Sequence, residues 1–261
     1  MRRKFSLCIS FFAAGALFFA SCGLDSISII EAPTTVVHET VYTNSDFAAN
    51  YIEFNTYNHE NDVKAGNTVL GTAVYYKIYA DVSTMQSHKS EISALNNSTD
   101  YSSAAAKMIG YGYKQLNTSD GNVQPLIGID GDVYLYGARV KIRLCNYGAE
   151  ADSNNEYRAI IQITDSKTQV TTTKFPRRSV LFGGTPKTFD FGRYNNPKYN
   201  ADLNSLPAET DEDYVKGTVS NNKYYVNLYA VAVGRDNTYT PYYSKVLHIG
   251  EVPIDSSAEN N

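Results

Sequence analysis

The sequence predicts a mainly β chain, built as an antiparallel β-sandwich with one helical insertion, and three observations carry that expectation. Residues 138–144 alternate without exception, Ala138, Val140, Ile142 and Leu144 against Arg139, Lys141 and Arg143, which is the period of a half-buried strand. Short runs rich in Val, Ile, Thr and Tyr recur between clusters of Asn, Asp and Gly, the composition of strands and their turns. One stretch, 84–116, breaks this pattern with helical spacing. At 261 residues, 43% hydrophobic and 19% charged, the chain is globular in class and long enough to bury a core without disulfide or metal staples.

The elements follow in chain order. Met1 is succeeded by Arg2, Arg3 and Lys4, by an apolar run from Phe5 to Ala20, and by the small residues Ser21 and Cys22. A basic start, a short apolar core and a small-residue end are the parts of a secretory signal, and the run is shorter than the roughly 20 residues of a spanning helix. Residues 1–21 therefore read as a signal peptide, 22–31 as a tether, 32–250 as an elaborated sandwich domain and 251–261 as a disordered polar tail. Within the insertion, Ser83 with Gln86 forms a capping-box pattern, followed by Met85, Ile92 and Leu95 on one helical face. A second short helix is expected through Ala104 to Ile109, stopped by Gly110 and Gly112. Strands at 138–145 and 156–164 are expected to form a hairpin. Residues 174–219, rich in Pro, Asn and Gly, read as loop with short strands.

Two resemblances add to this. Phe19-Ala20-Ser21-Cys22-Gly23 resembles the lipobox of bacterial, spirochaete-type lipoproteins, with Phe19 where Leu is usual. That implies a diacylglycerol on Cys22, a membrane partner reached through the lipid, and an address in the cell envelope, on the outer membrane, a periplasmic face or the surface. A conventional cut after Ala14-Gly15-Ala16 is the competing expectation. Loss of 1–21 removes three cations and no acids, so the formal charge goes from −4 to −7 and Cys145 is the thiol that remains. Further on, Tyr224, Val226, Leu228 and Ala230, followed by Pro241 and a last strand, are similar to the final two strands of a fibronectin type III domain of the immunoglobulin-like class. Looser matches are Ala32-Pro33, Tyr51 to Thr56 and Gly71 to Ala80. The resemblance implies that these four residues face the core, with Tyr224 as a corner tyrosine. Asn227, between them, then faces away, and Asn227→Asp should be nearly silent. The Trp of that family is absent.

Chemistry is sparse. The acidic balance argues against a nucleic-acid partner. His38, His59, His88 and His248 have no ligand spacing, and Asp130-Gly131-Asp132 lacks the further carboxylates of a calcium loop, so neither a metal nor another cofactor is expected beyond the lipid. Gly183-Gly184 reads as a turn, and Asp211-Glu212-Asp213 as a solvated acidic turn. The unusual feature is tyrosine, 22 residues, whose ordinary use is to fill sheets and whose functional use is a rigid recognition surface. Tyr239, Tyr242 and Tyr243 in a sandwich-end loop are the candidates for the latter. Arg139, Lys141, Arg143 and Arg158 form a candidate basic stripe, whose partners are either internal carboxylates (Glu209 to Asp213, or Asp152 and Glu156) or an anionic ligand such as an acidic glycan. The expected function is a non-enzymatic interaction or structural module with a protein or glycan partner; the alternative is a glycan-binding module using exposed tyrosines.

Overall fold

The computed structural model describes residues 29–40, 49–121, 125–146, 158–191 and 205–256. The signal segment, Cys22 and most of the tether lie outside them, as do Asp152 and Glu156. In chain order the first elements are β1 (Thr35–His38), β2 (Ile52–Asn55), α1 (Glu60–Lys64), β3 (Thr68–Tyr79), α2 (Val82–Leu95) and α3 (Ser103–Gly110). Then come β4 (Lys114–Gln115), β5 (Asn117–Thr118), β6 (Ile127–Gly128), β7 (Ala138–Arg143), β8 (Ile160–Asp165) and β9 (Thr171–Lys174). The last are β10 (Pro176–Arg177), β11 (Leu181–Phe182), β12 (Thr185–Pro186), β13 (Tyr214–Val215), β14 (Lys223–Arg235) and β15 (Pro241–Asp255).

Two sheets dominate. One runs β1-β2-β7-β8-β9, antiparallel throughout, and the other runs β13-β3-β14-β15, with β4 and β6 also paired to β3. The only parallel pairing among the described strands of these sheets is β13 on β3. Alternation decides which side chains meet. Ile52 and Phe54, Val140 and Ile142, and Ile161 and Ile163 leave one sheet on the same side and join Val74, Tyr76 and Ile78 and Val226, Leu228 and Ala230 from the other in a single core. The expected β7–β8 hairpin is present in register, Ala138 opposite Asp165 and Arg143 opposite Ile160. Cys145 is buried in the same core. Gly250, at φ +147°, lets β15 pass over β2, because a Cβ there would stand 3.0 Å from Ile52 Cδ1.

The other face of the β3-β14-β15 sheet is covered by the helical insertion. Met85 and Ile92 of α2 and Ala104, Ala105 and Met108 of α3 close over Tyr75, Tyr79, Tyr229 and Val231. The cap of α2 is Asp81 rather than Ser83: its carboxylate accepts from the Thr84 N–H at 2.8 Å and from the Ser83 hydroxyl at 2.6 Å. Gln86 reaches Glu251 instead of closing a capping box. After α3 the chain returns to the sheet as β4, so the helical part of 84–116 ends at Gly110.

Three further expectations need correction. The tail assigned to 251–261 begins later, because Val252 and Ile254 continue the inward alternation of β15 into the core. Asn227 is fully buried, since the helical layer makes the outward face of β14 a second interior; its amide donates to Tyr113 Oη at 2.8 Å and its carbonyl lies 2.7 Å from His248 Nε2. Asp211 and Asp213 are buried rather than solvated, and only Glu212 between them turns outward. Arg178 binds Asp213 through Nε (2.8 Å) and Asp211 through a terminal nitrogen (2.6 Å), and Lys187 Nζ lies 2.8 Å from both Asp211 oxygens. Tyr76 Oη donates to Asp213 at 2.6 Å and accepts from the Ser179 N–H at 2.7 Å. This cluster ties the 174–219 segment, with its expected short strands, to the second sheet. Gly183-Gly184, both at positive φ, form the expected turn between β11 and β12.

Candidate functional site

The three candidate tyrosines do not share a surface. Tyr239 is 74% exposed at φ +65°, with the Arg235 guanidinium 4.9 Å from its ring centre. Tyr242 lies across Gly234 and packs near Ile30, Val69 and Ala232. Tyr243 points the opposite way, as neighbours in a strand must, and joins the cluster beneath the helices. Of the tyrosines in the long strands, Tyr75, Tyr76, Tyr79 and Tyr229 are buried, while Tyr224, Tyr225, Tyr242 and Tyr243 are half-buried. Tyr224 packs edge-on against Phe191 and Tyr214.

The basic stripe is also redistributed. Arg139 keeps 61% of its side chain exposed, Lys141 is half-buried and Arg143 is buried. Arg158 sits half-buried before β8. Among the described residues Glu53 of β2 meets the stripe, bonded to Arg139 Nε, while the acids of the 209–213 segment are held by Arg178, Lys187, Lys114 and Lys216. Lys141 Nζ stands 4.1 Å from the centre of the Tyr51 ring and the Arg143 guanidinium 5.9 Å from it, while His38 stacks on Tyr51 at 4.0 Å.

What these residues do build is a cleft of about 490 Å³ on the outer face of the five-stranded sheet. Pairing sets its side chains in rows. Asn55, Arg139, Thr164 and Thr171 stand opposite one another across β2, β7, β8 and β9, and Glu53, Lys141 and Gln162 form the adjacent row. Thr164 and Thr171 share a hydroxyl–hydroxyl bond of 2.8 Å. The β8–β9 turn closes one end with Asp165, Ser166 and Gln169. Asp165 is engaged internally, accepting from the backbone N–H groups of Thr168 (2.7 Å), Tyr134 (2.8 Å) and Lys167 (2.9 Å). Burial alone would raise its pKa, but those bonds outweigh it and hold the carboxyl below its ordinary range. Glu53, by hydrogen bond and charge, raises the pKa of Arg139.

The lining therefore holds two cations and two carboxylates, three carboxamides and three hydroxyls, with no histidine, cysteine or aromatic ring. Among the described residues no group of three or more His, Cys, Asp or Glu is arranged to hold a metal ion, and no helix is long and apolar enough to cross a membrane. Sequence reasoning found Arg139 and Lys141 but missed Glu53, Asn55, Gln162 and Thr164. Their signal was the polar half of the alternation in IEFN and IIQITD, which shows its use only once β2 is known to lie beside β7. No family model, curated protein or solved structure matches the chain.

Proposed function

We propose that this is an exported protein, anchored to a bacterial envelope membrane by lipid on Cys22, whose β-sandwich is a non-enzymatic binding module. One observation carries the binding reading: the two sheets treat their outer faces differently. Helices α2 and α3 seal one, whereas the other presents a cleft whose polar side chains stand on four paired strands. A side chain on a paired strand is held in place more firmly than one on a loop, which suits recognition. Immunoglobulin-like architecture is part of the proposal. The order β3-β14-β15 agrees with pairing of the match at 71–80 with the final two strands of the fibronectin III resemblance, and β2 lies within the match at Tyr51 to Thr56. The helical layer and the parallel strand β13 are then elaborations of that plan.

The anchor and the module are tested separately. Cys22→Ser should abolish labelling by a palmitate analogue and move the protein out of the detergent phase; unchanged partitioning overturns the anchor. Soluble protein lacking residues 1–22 should sediment with isolated cell envelopes, and Asn55→Ala with Gln162→Ala should release it. Sedimentation that ignores both substitutions overturns the cleft as the binding surface.

A further inference from the structure

We infer that the cleft takes an uncharged oligosaccharide, an inference that rests on the binding reading above and adds its ligand class. The argument begins with charge. Arg139 and Lys141 bring two positive charges to the cleft and Glu53 brings a negative one, while Asp165, buried on the inward side of β8, spends its carboxylate on the N–H groups of Tyr134, Lys167 and Thr168. Arg139 is answered in place by Glu53 and Lys141 Nζ lies over the Tyr51 ring, so no cluster of like charge gathers a polyanion, and an incoming carboxylate that took the Arg139 fork would meet Glu53 already on Nε. The acidic glycan expected from the basic stripe is disfavoured for that reason. Glu53 keeps only 7% of its side chain exposed, so its charge is fixed in the floor and cannot swing away.

Apolar partners are disfavoured as well. No large apolar or aromatic side chain lines the space, and Ile52, Phe54, Val140, Ile142, Ile161 and Ile163 all point to the opposite side of the sheet. What remains is a dense mixture of donors and acceptors. Asn55, Gln162 and Gln169 each carry both, as do Thr164, Ser166 and Thr171. A sugar hydroxyl is likewise donor and acceptor at once, so it can be satisfied by carboxamide, hydroxyl and carboxylate groups of the kinds that line the cleft. The rows are laid across four strands, which gives a linear ligand several sites along the row of Asn55, Arg139, Thr164 and Thr171. A cleft of about 490 Å³ is within the size range of small-ligand sites.

The test uses soluble protein lacking residues 1–22 on two immobilised panels. One holds neutral tetrasaccharides with glucose, xylose, mannose, galactose or N-acetylglucosamine backbones; the other holds hyaluronan, polygalacturonate and heparin. We expect retention on at least one neutral member, changed less than twofold by a tenfold rise in salt, because bonds to uncharged hydroxyls are not screened as ion pairs are. Gln162→Ala and Asn55→Ala should each weaken retention at least tenfold with unchanged melting temperature. Retention confined to the acidic panel and lost with salt overturns the inference, and so does neutral retention that survives both substitutions or no retention on either panel. If the variants release the protein from envelopes while neither panel retains it, the binding module stands and the carbohydrate inference alone fails.

Discussion

Arg178 and Arg139 each meet a carboxylate from a different strand or loop, but the first is sealed inside the molecule and the second faces the cleft. Around Arg178 the accounting is closed: two aspartates, Lys187, the Ser205 carbonyl and Tyr76 satisfy one another with no exposed member. Burial alone would lower the Arg178 pKa, yet Asp213 and its neighbours raise it instead, and burial beside Asp213 pushes the Tyr76 phenol well up. Arg139 has a buried partner in Glu53 but an exposed guanidinium. Identical residue types thus do two jobs. Where water is excluded the pair fixes a segment of chain, and where water enters it supplies charge-balanced surface.

The sharpest way to break this comparison is at the sealed cluster. Arg178→Met leaves Asp213 buried with Tyr76 as its remaining hydrogen-bond partner among the described residues, and removing one member of a buried ion network costs about 3–5 kcal/mol. Urea denaturation should register that loss, and a cost below about 1 kcal/mol would place the cluster with ordinary surface pairs.

A second network, buried at its tyrosines and half-buried at its histidines, lies between the helical layer and the sheet. His88 contacts Tyr79 Oη, Tyr79 donates to Tyr113, and Asn227 links Tyr113 to His248. Desolvation lowers the His248 pKa to about 4, with Lys89 lowering it further and Glu251 opposing both. The charged and polar groups around it are Asn227, the Tyr229 ring, Glu251, and Lys89 and Gln86 from α2. The folded protein disfavours protonation relative to the unfolded chain, so this stability is complete above pH 6.5 and is lost as pH falls from about 6.5 towards 4. The loss amounts to up to about 3 kcal/mol. His88, lowered chiefly by burial, acts in the same direction. The depressed carboxyls of Asp81 and Asp211 give way only below their ordinary range, and those of Glu91 and Glu212 begin to do so at the acid end of the window, so its upper part belongs to the histidines. Melting followed across it should fall for the native chain and flatten in His248→Gln; an unchanged slope would exclude His248 as the titrating group.

Asn227→Ala removes the link between Tyr113 and His248 and should cost about 1–3 kcal/mol, the price of a buried polar group left unsatisfied. The fibronectin-like spacing placed Val226, Leu228 and Ala230 correctly in the core and Asn227 on the reverse side of β14. It did not reveal that α2 and α3 cover that side, because periodicity along a strand reports which residues share a face and not what lies over it. The same limit explains the acidic segment. Asp211 and Asp213 look like a solvated turn from their neighbours alone, while their partners Lys187 and Arg178 lie 24 to 35 positions away. In the cleft, the alternation of β7 exposed Arg139 and Lys141 to view, but the rows exist only because β2 pairs with a strand more than 80 residues later, as the Arg139–Glu53 separation of 86 shows.

The smallest expected effect belongs to the open pair. Arg139→Gln keeps a donor near Glu53 while removing the charge, and the exposed side of such a pair is screened by solvent, so the stability change should stay within about 1 kcal/mol. Raising salt should shrink even that difference, since ions reach the guanidinium. The Arg178 variant should show no comparable salt effect, because its partners are out of reach of counterions. Chemical denaturation of both variants with urea, at low and at high sodium chloride, measures the contrast directly. A loss at Arg139 equal to that at Arg178 would mean that Glu53 cannot tolerate the change and that the cleft is held together by the pair. A small, salt-sensitive loss leaves Arg139 available to a ligand at little cost to the fold.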